Sequence, residues 1–236
     1  MNVLRRIPPL GRIGRGRATG AWAAAAMAAA AAWLLHPGLG HEATAAQPPV
    51  AAAGGQLTDL LHRVTIVDHL DQADGYDRSC RKGHLCDFGP AWDDPTDHSG
   101  CNTRDRVLSK QLSDIKYKPG THECKVMAGE LIDPYTGETI QLANVAIDHL
   151  VPLHRAWNAG ASKWSLQQRR IFANDPVELL AVSAQANEAK KDSGLDRWLP
   201  VYQPCSYVTK YLTVAAKYQL PITTAERDAA VHACTT

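Results

Sequence analysis

These 236 residues contain none of several ready-made catalytic signatures. No C-x-x-C pair occurs, so the six cysteines lack the usual spacing of a structural zinc site. No H-E-x-x-H helix is present to build a zinc protease, and no G-x-S-x-G elbow to carry a serine nucleophile. A glycine-rich phosphate cradle is also missing, as is any internal repeat. A large excess of charge of one sign is missing as well. Residues 1–45 hold 5 of the 25 basic and 1 of the 24 acidic residues, leaving 20 basic against 23 acidic, a net charge of minus 3. Bulk charge therefore gives no reason to expect binding to a polyanion, and any phosphate recognition must come from a local patch.

No apolar run in the leader reaches membrane-spanning length. Residues 21–35 (AWAAAAMAAAAAWLL) number 15, whereas crossing the hydrocarbon takes about 20. The run follows Arg5, Arg6, Arg12, Arg15 and Arg17 and precedes the small residues Ala43-Thr44-Ala45. That order is the pattern of a cleaved export signal over 1–45, which predicts a secreted or extracytoplasmic protein without a stable membrane partner. An uncleaved leader would instead anchor the chain at the cell surface. Residues 46–55 (AQPPVAAAGG) read as a flexible lead-in, and 56–236 as one domain large enough for a real core.

All six cysteines follow the leader, and in an exported chain an even number predicts disulfides. Six cysteines allow fifteen pairings, among which sequence does not choose. The working expectation joins Cys80 to Cys86, Cys101 to Cys124 and Cys205 to Cys234.

Leu57, Leu60, Leu61, Val64 and Val67 stand at helical spacing and predict an opening helix over 57–67. From Asp71 to Gly100 the chain is rich in Asp, Gly and Pro and reads as a cysteine-pinned loop. The turn signals Asp-Pro and Thr-Gly within 131–139 predict strand, turn, strand. Ser165 with Gln168 forms a capping-box pattern that starts a helix over 165–173, 177–182 (VELLAV) reads as a strand, and Ser183 can cap a helix through Lys191. Two more helices are expected at 207–217 and from Thr224, the latter opened by a Thr223/Glu226 capping box. The class is α+β, with helices around a small antiparallel sheet.

Residues 146–157 read AIDHLVPLHRAW: a strand-like run ends in an acid set against a histidine, and Pro152 stops the ladder. Strand alternation sends neighbouring side chains to opposite faces, so a shared site for Asp148 and His149 requires a bulge or a strand end to re-aim one of them. Asp-His-x-Val-Pro, the later Asn174-Asp175, a short strand and a helix bearing Asn187-x-x-Lys190 together resemble the HNH endonuclease superfamily with its ββα-metal motif. The exported bacterial members are the most similar. They share the segments CNTR (101–104), Asp-Pro-Tyr-Thr-Gly (133–137) and Trp-Leu-Pro (198–200), so the resemblance spans roughly residues 60–234. It implies a ββα-metal core and a hydrolase that cuts DNA, and RNA as a further substrate. Three departures stand out: Asn187 replaces the last histidine, Arg155 stands where relatives commonly have Glu, and Glu188-Ala189 stand where Arg and Ser are common.

Phosphodiester hydrolysis needs an activated water and relief of charge at phosphorus and the leaving oxygen. A single hard divalent ion suits the second need, and magnesium is often held by one or two protein oxygens. Asp148 and Asn187 are the expected ligands, with Mg favoured, Mn acceptable and Zn less fitting. His149 is the expected general base, by resemblance and because its unperturbed pKa of about 6.5 lets it take a proton near neutrality. By resemblance Asn174 braces the loop holding His149. Arg104 and Lys190 are the expected phosphate contacts, Arg104 by bidentate bonding, while Lys163, Arg169 and Arg170 read as solvated helix charges. Two rival functions are a nuclease-fold binding module that does not cut, and zinc hydrolysis through Asp148, His149 and His154.

Overall fold

The computed structural model describes residues 50–235, with side chains from residue 55 onward; the leader and residues 46–49 lie outside the described residues. Leu57, Leu60 and Val64 form one buried stripe, and the chain accordingly opens as helix α1 (Val50–Arg63). It begins inside the stretch expected to be a flexible lead-in, where Val50 to Ala53 include three strong helix formers. It stops before residue 67 because Ile66–Val67 forms a short strand, β1, paired in parallel with a late strand at Ile222–Thr223.

Residues 68–102 contain no regular element, as the Gly, Pro and Asp content predicted. Asn102 then caps helix α2 (Thr103–Gln111), its side chain accepting from the Asp105 N–H. Strands β2 (Ser113–Tyr117), β3 (Val126–Ile132) and β4 (Thr139–Gln141) form an antiparallel sheet, with the Asp133–Gly137 turn joining the last two. Next come β5 (Val145–His149), α3 (Leu153–Asn158) and α4 (Leu166–Asn174), the last opened by the reciprocal Ser165/Gln168 capping box. β6 (Leu179–Ser183) runs into α5 (Ala184–Lys190), capped by Ser183. The chain closes with α6 (Pro204–Tyr218), β7 (Ile222–Thr223) and α7 (Thr224–Thr235), where Thr223 and Glu226 cap reciprocally. α2, β2 and α3 were not foreseen: α2 has little apolar periodicity and is fixed by its cap and by contact with its neighbours.

The fold is α+β, and all three expected disulfides are formed: Cys80–Cys86, Cys101–Cys124 and Cys205–Cys234. Two hydrophobic cores lie on either side of the antiparallel β5–β6 pair. Val145, Ile147, Leu179 and Ala181 face the smaller core with Val107, Leu108 and Leu131. Leu180 and Val182 face the larger one, built on α1, α3, α4, α6 and α7. A two-stranded sheet is marginal alone; here apolar side chains cover both of its faces. No helix among the described residues is long and apolar enough to cross a membrane.

Candidate active site

β5 and β6 pair antiparallel without interruption from Val145↔Ser183 to His149↔Leu179, and α5 follows directly, so the expected strand, strand, helix order is present. The ladder has no bulge. Alternation therefore holds to the last residue: Asp148 shares the face of Leu180 and the larger core, and His149 shares the face of Leu179 and the smaller one. The expectation that the strand end turns both side chains into one site is thus corrected. They are linked through the backbone, since the Lys190 ammonium that holds the Asp148 carboxylate also donates to the His149 carbonyl at 2.8 Å.

On its own face, His149 Nε2 lies 3.0 Å from the Ala173 carbonyl. A carbonyl only accepts, so Nε2 carries the proton, and in the neutral ring Nδ1 keeps a lone pair. Burial lowers the imidazole pKa to about 4, with the positive charges of Arg78 and Lys190 acting in the same direction against the Ala173 hydrogen bond. The ring is therefore neutral at pH 7. Trp92 lies beside it, with centroids 6.1 Å apart and planes 8° from parallel.

On the opposite face, Asp148 is 5% exposed and Lys190 is fully buried. Lys190 Nζ sits 3.0 Å from Oδ1 and 2.9 Å from Oδ2, while the Tyr135 hydroxyl donates to Oδ2 at 2.5 Å. Burial raises the Asp148 pKa, an effect that Lys190 and Tyr135 oppose. Glu178 lies in the same interior; burial raises its pKa far above the carboxylate range, and its Oε1 has no hydrogen-bond partner. Lys190, expected to reach a phosphate, is thus corrected to a buried counter-ion. Its place on the inner turn of α5 aims it beneath the strand end, away from solvent.

Asn187 sits one turn before Lys190 on that inner face, half-buried, and no side chain among the described residues bonds its amide. Asp148 and Asn187 are therefore on the same side of the β5–β6 pair. As the side chains stand, however, this donor set does not fit a divalent ion: an ammonium already spans both carboxylate oxygens and cancels their charge. Among the described residues, no three His, Cys, Asp or Glu side chains group so as to hold a metal.

Asn174 ends α4, directly after the carbonyl that holds His149. It is 2% exposed. Its Nδ2 donates to the Arg170 and Asp93 carbonyls at 2.9 and 3.3 Å, and its Oδ1 accepts from Thr103 at 2.6 Å. Arg104 is not brought to His149. Its Nη2 bonds the Val145 carbonyl at 3.2 Å, at the opposite end of β5 from His149. His154, considered for a zinc site, instead pairs with Asp192 at 3.1 Å and stacks on Tyr76. Arg169 and Arg170, read as solvated, tie the 77–93 loop down: Arg169 Nε donates to the Asp87 carbonyl at 2.6 Å, and Arg170 to the Asp93 carboxylate at 2.7 Å. Lys163 is exposed as expected.

Residues 102–232 match the family described as GmrSD restriction endonucleases, C-terminal domain. This chain belongs to that family. The GmrSD C-terminal domains are nucleases of the HNH type, which makes nucleic acid the substrate class. A protein of Arthroderma benhamiae, named as an uncharacterized secreted protein, is 35% identical over 187 residues, covering 77% of this chain and 85% of its own length. No solved structure matches. The GmrSD match takes in Arg104, Asp148, His149, Asn174, Asn187 and Lys190 but stops short of Arg78 and Trp92, which sequence reasoning also missed. Both lie in a loop without periodicity, so no local signal marks them. Tyr135 was visible only as part of a turn motif. Arg155 is likewise explained: its guanidinium bonds the Glu226 carboxylate and, at 2.5 Å, the Tyr211 hydroxyl, so its charge belongs to the interior and not to the site.

Proposed function

We propose that this protein is an exported endonuclease that hydrolyses phosphodiester bonds of nucleic acid, with DNA as the first substrate and RNA as a further one. The observation that supports this reading best is the state of His149. A neutral imidazole, with Nε2–H committed to Ala173 and Nδ1 free, can accept a proton from a water aimed at phosphorus. Asn174 serves as a positioning residue: it fixes the end of α4, and with it the carbonyl that sets the tautomer of His149. The buried Asp148–Lys190 pair holds the strand end from beneath, through the His149 carbonyl. The Mg ion expected from the sequence enters this reading only if Lys190 leaves Asp148. Export is supported by the leader, by three disulfides, which persist in oxidising compartments, and by the secreted fungal relative.

The test is a nuclease assay on the processed, disulfide-bonded protein with plasmid DNA and RNA, in Mg, Mn or EDTA, beside His149→Ala. Cutting by the wild type is expected, with a loss of about 100- to 10,000-fold in the variant. A second reading, a nuclease-fold module that binds without cutting, is favoured by the neutralised Asp148. An uncut substrate in every metal, with binding retained, would establish it in place of the first.

A further inference from the structure

The loop over residues 77–93 is unusually well fastened for a segment without helix or strand. Cys80–Cys86 closes it, and backbone bonds from Cys86 to Ser79 and from Asp87 to Asp77 hold its two limbs together. Arg169, Arg170 and Asn174 of α4 bond Asp87 and Asp93, and the Thr103 N–H donates to the Trp92 carbonyl. The elements that fasten the loop are thus also those that place His149. Trp92 holds φ +63°, in the left-handed region that bulky side chains avoid. That conformation sets its ring parallel to the imidazole, half-buried, packed in part on the smaller core and otherwise open. Arg78 is half-buried on the same loop. One guanidinium nitrogen donates to the Gly89 carbonyl at 2.9 Å, and its remaining donors take no partner among the described residues.

We propose that Trp92 is a stacking platform for an unpaired nucleobase beside the scissile phosphate, and that Arg78 binds the backbone phosphate of the same nucleotide. This rests on the nucleic-acid reading above, adds two contacts outside the family match, and implies a preference for single-stranded or frayed substrate. Aromatic stacking accepts any base, so the platform gives affinity without sequence choice. A merely supporting Trp92 would buttress His149 and touch no substrate.

Binding separates these roles when measured in a His149→Ala background, where the buttress is irrelevant and nothing is cut. The probe is a fluorescent single-stranded oligonucleotide followed by anisotropy. Trp92→Leu should weaken binding about 5- to 150-fold, with Trp92→Phe retaining most of the affinity. On an oligonucleotide of abasic sites, the His149→Ala protein should show a similar loss and Trp92→Leu should add nothing. Arg78→Gln should lower the slope of log affinity against log salt by about one. Unchanged affinity in Trp92→Leu, or equal affinity for abasic and normal strands, overturns the platform; an unchanged salt slope in Arg78→Gln overturns the phosphate contact. The abasic comparison needs no change at Trp92, so a misfolded variant cannot hide the answer. Failure here leaves cutting by the wild type untouched, and absence of cutting with Trp92-dependent binding would remove the nuclease reading alone.

Discussion

Replacing Lys190 with Met keeps an unbranched side chain in place and removes only the ammonium. Lys190 is fully buried and Asp148 nearly so, so the variant leaves a carboxylate in the interior with the Tyr135 hydroxyl as its one side-chain donor. Breaking a buried pair in this way costs about 3–5 kcal/mol. A ceiling follows from proton binding. The stranded carboxyl can take a proton instead of staying charged, which from an unfolded pKa of about 3.9 costs about 4 kcal/mol at pH 7 and about 1.5 at pH 5. The sign is fixed by linkage. In the variant, the folded pKa of Asp148 rises further above its unfolded value, so its contribution to stability is present at low pH and is lost as pH rises through the folded pKa. The destabilisation by Lys190→Met should therefore shrink by up to about 1.4 kcal/mol per pH unit between pH 7 and pH 5. Urea unfolding followed by tryptophan fluorescence across that range measures it. Asp148→Asn combined with Lys190→Met should cost less than the sum of the single changes, because no buried charge is then left alone. A loss below about 1 kcal/mol that does not vary with pH would show that Lys190 is solvated and unpaired, and the account of the strand end would be wrong.

The remaining predictions concern pH and cross-linking. Because the folded His149 titrates at about 4 and not at the usual value of about 6.5, the acid limb of kcat/KM should reach its half-point well below pH 6.5. A half-point at or above 6.5 in cleavage rates would contradict the buried, neutral ring. The same lowered pKa contributes stability that is present above about pH 6.5 and is lost as pH falls through about 4. Cys205–Cys234 closes 29 residues of chain between α6 and α7; replacing both cysteines with Ala should cost about 3–4 kcal/mol, read as a lower Tm. An unchanged Tm would mean that the helix pair is held without the bridge.

Much of the frame was legible in the residues alone. Capping pairs such as Ser165/Gln168 and Thr223/Glu226 are local, so their helices could be placed before any contact was known. Asp148-His149, Asn174 and Asn187-x-x-Lys190 marked the β5, β6 and α5 unit because their spacing reflects one compact motif, and neighbouring cysteines proved to be partners. What each charged side chain does was decided only by the tertiary structure. A lysine at the inner turn of a helix reads in sequence like any phosphate-binding lysine; burial against Asp148 makes it a counter-ion. Arg169 and Arg170 likewise looked solvated until the 77–93 loop came to rest on them. That loop brings Trp92 beside His149 across 57 residues of chain, and no periodicity or short-range pairing encodes such a contact. Local hydrogen bonding and residue order set the elements, whereas the solvation and partners of a charge depend on which distant surfaces close over it.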